Sequence, residues 1–384
     1  MTLVVHGARK LDADGIVDDF WFAAAGERIT ATGTGDGWRA AAASADPAAV
    51  HDAAGAWLTP GFIDLHGHGA GGSDFDHDAD GILSALAVHR AHGTTRSVLS
   101  LVTNPIDALS TSLSVIADLA ASDPLILGSH LEGPFLADSH RGAHDPALLR
   151  SPDSATVAAL VEAARGTLRQ VTIAPELDGG LVAVSEFVAA GVIVAVGHTN
   201  ATDDEARAAF DLGATLVTHA FNAMPGIHHR APGPIIAAFE DDRVSLELVL
   251  DGVHVHPDVA RLAFRAAPGR IALITDAMAA AGAADGTYEL GSLEVTVSNG
   301  VARLTHGDSI AGSTLTMDAA LRNAIHLAGI DPVTAVAALT STPARVMGRS
   351  ADLGLLAPGH AADAVMLDAD VIVQAVWANG AALR

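Results

Sequence analysis

The sequence predicts an α/β protein: a (β/α)8 TIM-like barrel with a small β-sandwich domain formed from both chain termini. Three observations carry that prediction. Eight apolar, β-branched runs recur along the middle of the chain, at 57–65, 95–102, 125–131, 171–174, 192–196, 214–218, 244–250 and 270–275. Alanine- and leucine-rich segments of helical length separate them, at 79–92, 106–122, 154–165, 181–190, 202–212, 233–240 and 257–267. The runs are continuously hydrophobic rather than alternating, the pattern of strands buried on both faces in a parallel sheet covered by helices.

The ends of the chain read differently. Residues 1–56 carry short strand-like pieces, LVVHGA and FWFAAAGERITATGTG, broken by glycine and aspartate turns, and DAVMLDADVIVQAVWANG near the C-terminus has the same character. A small β domain of residues 1–56 and 350–384, beside a barrel of residues 57–349, is the economical arrangement. Residues 36–50 read as an exposed loop.

Composition narrows the chemistry. At 384 residues the chain exceeds a single ordinary domain, whereas a (β/α)8 barrel takes about 250 and leaves room for a smaller partner. Half the residues are hydrophobic but only 4% are aromatic, so alanine and valine must do much of the packing. The absence of cysteine excludes disulfides, thiolate metal sites and a cysteine nucleophile. A net charge of -24 argues against a nucleic-acid or anionic-membrane partner, which would select a basic face. No apolar run is long enough for a signal peptide core or a membrane span, so a cytoplasmic protein is expected. Lysine occurs once, at Lys10, which removes Schiff-base, P-loop and metal-bridging lysine mechanisms from the barrel.

The strand ends hold the chemistry. The first run leads into PGFIDLHGH, placing His66 and His68 one residue apart. Side chains alternate along a strand, so the two imidazoles share a face and could meet a divalent metal. Alone, the pair could equally be hydrogen-bonded polar residues. The later strands add Glu132 in HLEGPF, His198 in VGHTN, His219 in THAFNAM and Asp276 in TDAM. In a (β/α)8 barrel the C-terminal mouth is where active sites form, so polar residues concentrated there read as catalytic. Glu132, His198 and His219 make a three-ligand metal site that could be complete without His66 and His68. His130 shares a face with Glu132 and reads equally as a ligand or as a residue supporting one. His6, His51, His77, His89, His92, His306, His326 and His360 read as surface or structural. Asp276 can serve as an acid and base beside a metal, taking a proton from water and giving it to a leaving group; the alternative is a helix N-cap.

These residues resemble the amidohydrolase superfamily, and within it the N-acetylglucosamine-6-phosphate deacetylases. The resemblance covers nearly the whole chain and rests on PGFIDLHGHG, HLEGPF, RGAHDPALL, VGHT, THAFNAM, HHRAPG, DGVHVHP, TDAMAAAG, AGSTLTMD and STPAR. It implies a divalent ion (Zn, Fe, Mn or Co) on Glu132, His198 and His219, with Asp276 acting as base and then acid in deacetylation. Because both His66 and His68 are present, a second ion is possible, with Glu132 as the bridge. The resemblance further implies that Arg230 and His254 hold the sugar phosphate, that Asn222 and Ala223 offer backbone to it, that His144 contacts the sugar, and that the protein is a homodimer. The glycine-rich loops HGHGAGG and PGIHHRAPG leave the glucosamine or galactosamine epimer open. A deacetylase of another N-acyl substrate and a sugar-phosphate sensor without turnover are the competing readings.

Overall fold

The computed structural model describes residues 2–43, 45–76 and 78–384. Eight strands form one sheet in chain order: Phe62–Gly67, Thr94–Leu101, Ile126–Glu132, Leu168–Ile173, Ile193–Val196, Leu216–Val217, Ser245–Val249 and Ile271–Ile274. From the second strand to the eighth, successive neighbours pair in parallel. Asp276 N–H donates to His66 O at 2.8 Å and His68 N–H to Ala277 O at 2.6 Å, drawing the first and eighth strands together into a nearly closed barrel. Every residue of Thr94–Leu101, Ile126–Glu132 and Ser245–Val249 is buried, as the continuous hydrophobic runs require.

A helix follows each of the first seven strands: Ala79–Ala91, Ile106–Ser122, Ser154–Ala163, Gly180–Ala189, Asp203–Asp211, Gly233–Phe239 and Pro257–Ala266. Local chemistry sets their faces and starts. Ile106–Ser122 buries Leu109, Leu113, Ile116 and Ala117, a stripe at helical spacing. Asp203–Asp211 opens with a capping box in which Glu205 N–H donates to Thr202 Oγ1 at 3.3 Å and Thr202 N–H donates to Glu205 Oε2 at 2.8 Å.

Three features differ from expectation. The run 57–65 is two strands: Trp57–Pro60 pairs with Ala364–Leu367 and with Thr2–Asp12, whereas Phe62–Gly67 enters the barrel. The division falls at Gly61, where a Cβ would lie 2.2 Å from Thr95 Oγ1. Residues 36–50 are not a plain loop, because Trp38–Ala42 is helical and the half-buried Trp38 ring stacks on His6 at 3.7 Å. After the eighth strand an antiparallel sheet of Gly286–Leu290, Leu293–Ser298 and Val301–Leu304 intervenes before the helix Met317–His326. Its last turn is Asn299-Gly300, both at positive φ (51° and 73°), the geometry of a two-residue hairpin.

The chain has two compact units, Leu65–Val88 with Ser97–Thr316, and Met1–Asp64 with His89–Arg96 and Met317–Arg384. Within the second, both termini join one sheet of eight strands, in which Thr2–Asp12 is flanked by Gly15–Ala25 and Trp57–Pro60. Leu3, Val5, Phe20, Phe22, Leu58 and Trp377 form one buried cluster, while Val4, Trp21 and Ala23 belong to another. That division follows the alternation of side chains along the strands. A buried bidentate pair, Arg96 Nε to Asp363 Oδ2 at 2.7 Å and Nη2 to Oδ1 at 3.2 Å, ties this unit further.

Candidate metal centre

Beneath the C-terminal mouth the barrel interior is polar and hydrogen-bonded. His130 lies between Ser100 Oγ (2.9 Å) and Thr172 Oγ1 (2.8 Å), and Thr172 Oγ1 meets Thr218 Oγ1 at 2.7 Å. His130 therefore engages the barrel core, with its ring 4.6 Å from that of His66.

Above this layer the strand ends converge. His198 Nε2 and His219 Nε2 lie 3.1 and 3.0 Å from Glu132 Oε1 and 3.0 Å from each other. On the other side of Glu132, His68 Nε2 is 3.1 Å from Oε2, 3.2 Å from Asp276 Oδ1 and 3.1 Å from His66 Nε2. Two donor groups result, Glu132 with His198 and His219, and His66, His68, Glu132 and Asp276. All six residues are buried.

Backbone conformation helps aim these side chains. His198, His219 and Asp276 have φ of 46°, 25° and 49°, a left-handed region that non-glycine residues enter at a cost. Phe221 and Ala223 share it, with φ of 79° and 50°. Hydrogen bonds hold the turns: Asp276 O accepts from Ser313 N–H at 2.6 Å, and Ala223 O from Thr199 N–H at 3.1 Å. His198 Nδ1–H donates to His140 O at 2.8 Å, which turns Nε2 toward Glu132. The residue before it must be glycine, since a Cβ on Gly197 would lie 2.6 Å from Thr218 Cβ.

The electrostatics fit a cation. Burial opposes charge on Glu132, but the surrounding imidazoles, His66 foremost, hold its carboxyl well below the usual carboxylate range. Burial likewise opposes charge on Asp276, and the His68 hydrogen bond and His66 outweigh it, so this acid too is held low. Burial pushes His144 down to about 4, despite its contact with Glu132. Glu132, Asp276 and a further buried acid, Glu247, make ion pairs only with histidines among the described residues. Three buried carboxylates whose ion pairs among the described residues are with histidines alone call for positive charge, which a cation supplies. Bonds of about 2.1 Å place tetrahedral donors roughly 3.4 Å apart, close to the 3.0 and 3.1 Å edges of the Glu132, His198, His219 triangle. The residues present therefore fit a divalent metal.

A cavity of about 420 Å³ opens onto this cluster and is lined by His68, Glu132, His198, His219 and Asp276, and also by His144, Asn222, Ala223 and His254. His254 Nδ1 is braced by Asp251 Oδ2 at 2.7 Å, and its Nε2 lies 3.9 Å from Asp276 Oδ2. Arg230 is exposed, beside the His228 to Ala231 bridge, and is not among the lining residues. His6, His51, His89, His92, His306, His326 and His360 also lie outside the lining. His77 lies outside the described residues.

Sequence reasoning missed part of the wall. Leu290, Arg303, Asp308, Ser309, Ile310 and Gly312 come from the antiparallel insert and the loop after it. Its hairpin was signalled by the Asn299-Gly300 turn between alternating strands. Glu247 was also missed, although a lone acid inside the apolar run VSLELVL is the kind of anomaly that marks a buried role.

The amidohydrolase family model matches residues 57–383. Over 384 residues, 99% of each chain, the protein is 39% identical to N-acetylgalactosamine-6-phosphate deacetylase of Escherichia coli O157:H7. It is 35% identical to N-acetylglucosamine-6-phosphate deacetylase of Danio rerio over 84% of this chain and 83% of that one. The structure of a Mycobacterium smegmatis N-acetyl-D-glucosamine-6-phosphate deacetylase variant in complex with N-acetyl-D-glucosamine-6-phosphate superposes with a TM-score of 0.92. It shares 42% identity and covers 100% of this chain and 99% of that one.

Proposed function

The chain belongs to the amidohydrolase family, and from that premise we propose that it hydrolyses the acetamide of N-acetylglucosamine 6-phosphate to glucosamine 6-phosphate and acetate. The observation that carries this reading is one cavity shared by Glu132, His198, His219 and Asp276 with His144, Asn222, Ala223 and His254. It occurs in a chain similar throughout to deacetylases of phosphorylated amino sugars.

Glu132, His198 and His219 would hold one divalent ion, with His66, His68, Glu132 and Asp276 bounding a second position. The site then takes one or two ions of Zn, Fe, Mn or Co, all suited to imidazole and carboxylate. A divalent ion bound there supplies Lewis acidity, acidifying water and polarising an acyl oxygen. Asp276 accepts the proton of the attacking water as the new C–O bond forms. It returns that proton to the nitrogen as the C–N bond breaks, leaving the amine and acetate.

His144 contacts the sugar, while His254 and the backbone at Asn222 and Ala223 take the phosphate. Arg230, exposed and outside its own cavity wall, serves the phosphate of a partner copy, so the working form is a homodimer. A guanidinium fork suits that anion. The catalytic barrel would be residues 57–349, less the strand Trp57–Pro60 that pairs within the sheet of the termini, and the small β domain residues 1–56 with 350–384. The setting is cytoplasmic amino-sugar catabolism or cell-wall recycling; among the described residues no helix is long and apolar enough to cross a membrane.

A second substrate reading has its own support: the relative matched over 99% of both chains is named for the galactosamine epimer. A sensor without turnover would not need Asp276 as a proton carrier, and Asp276 Oδ1 stands in the cluster 3.2 Å from His68 Nε2. Acetate release from the two epimeric 6-phosphates and from unphosphorylated N-acetylglucosamine is the test. Equal efficiency with and without phosphate would sink the sugar-phosphate assignment.

A further inference from the structure

Glu247 is fully buried in the seventh barrel strand, where its neighbours Leu246, Leu248 and Val249 are apolar. Its carboxylate is spanned by donors. Oε1 accepts from Gln170 Nε2 at 2.7 Å, and Oε2 lies 3.1 Å from His66 Nδ1 and 3.4 Å from the His219 backbone N–H. Gln170 is itself fully buried.

A carboxylate oxygen accepts hydrogen bonds, so His66 Nδ1–H donates to Glu247 Oε2. The other ring nitrogen, Nε2, is left to face His68 Nε2 at 3.1 Å and Asp276 Oδ1 at 3.5 Å. A histidine that binds a metal through one nitrogen commonly gives the other N–H to a carboxylate, which fixes the tautomer and the ring plane. We infer that Glu247 is a positioning residue that presents His66 Nε2 to a divalent ion held with His68, Glu132 and Asp276. Gln170 anchors the carboxylate from the opposite side. The same contact to the His219 N–H links this acid to the turn that supplies a ligand on the other side of Glu132.

This inference rests on the proposed metal at the His66 end of the cluster. The experiment titrates Zn2+ alone into metal-stripped protein against a competing chelator, counting ions per chain, with a thermal melt of each metal-free variant. Glu247→Leu should weaken one Zn2+ by ten- to a hundredfold, leaving the other within a few-fold of wild type. Glu247→Gln, which keeps an acceptor for His66, should recover most of that loss. In a His66→Gln background Glu247→Leu should cause no further loss, because the carboxylate acts through His66. Unaltered Zn2+ midpoints in a folded Glu247→Leu protein, or losses that add to those of His66→Gln, overturn the inference. Should Glu247→Leu fail to fold, Glu247→Gln as damaging as His66→Gln overturns it too. Wild-type protein that takes up one Zn2+ indifferent to His66→Gln removes the metal reading at this end, and the inference with it. Two ions in wild type with no response to Glu247 remove the inference alone.

Discussion

The backbone N–H of Asp276 donates to the carbonyl of His66 at 2.8 Å. One hydrogen bond thereby joins the last strand of the barrel to the first and brings the eighth strand's acid beside the histidine pair. Asp276 Oδ1 then lies 3.2 Å from His68 Nε2 and 3.5 Å from His66 Nε2. Barrel closure and the acid's position are one structural event, and four expectations follow from the geometry around it.

Asp276→Asn keeps the side chain's volume and removes its ability to take and return a proton. The expected outcome is a fall in kcat of about 10²- to 10⁴-fold, with substrate affinity changed only a few-fold. Steady-state kinetics together with direct binding of the 6-phosphate substrate separate the two. Turnover equal to wild type would remove Asp276 from the proton path.

Glu132 belongs to both donor groups, whereas His198 belongs to one. Glu132→Gln should therefore deplete metal from the whole cluster, and His198→Asn from the end it shares with His219. Elemental analysis of purified variants reads this directly. Chelation should also lower the melting temperature of wild type, because an ion that binds only the folded chain stabilises it by mass action. A Glu132→Gln protein with the wild-type metal content would contradict the shared-ligand geometry.

Gly197→Ala would place a methyl 2.6 Å from Thr218 Cβ, immediately before His198. Overpacking of this kind costs roughly 1–3 kcal/mol, to be read as a lower urea midpoint. Because the strain falls beside a ligand, metal affinity should fall as well, whereas stability unchanged from wild type would show that the wall at Thr218 yields.

Arg230 is exposed and outside its own cavity wall. Arg230→Ala should lower kcat/KM for the phosphorylated substrate while sparing the unphosphorylated sugar. If the arginine acts across a two-fold dimer, mixing Arg230→Ala with Asp276→Asn subunits restores one intact site per mixed dimer, about a quarter of wild-type activity. No recovery from subunits shown to exchange would place Arg230's action within its own chain.

How much of this was legible in the sequence depended on the length scale of each feature. The eight strands and seven helices announced themselves because burial on both faces writes a continuous apolar run and a helix writes alanine- and leucine-rich segments of its own length. His66, His68, Glu132, His198, His219 and Asp276 were visible as polar residues ending such runs. The split at Gly61 was hidden, since two strands going to different sheets are joined by a single residue of unbroken apolar sequence.

What the sequence determined by itself was the barrel's alternation, the cysteine-free and nearly lysine-free choice of donors, and the strand ends at which those donors stand. Only the tertiary structure decided that Glu132 is shared by two donor groups, that the insert at Gly286–Leu304 brings Leu290 and Arg303 to the cavity, and that Glu247 meets His66 across 181 residues of chain. Periodicity records which face of an element is buried. Contacts between side chains distant in the chain depend on how the strands close around one axis, and no local pattern carries that information.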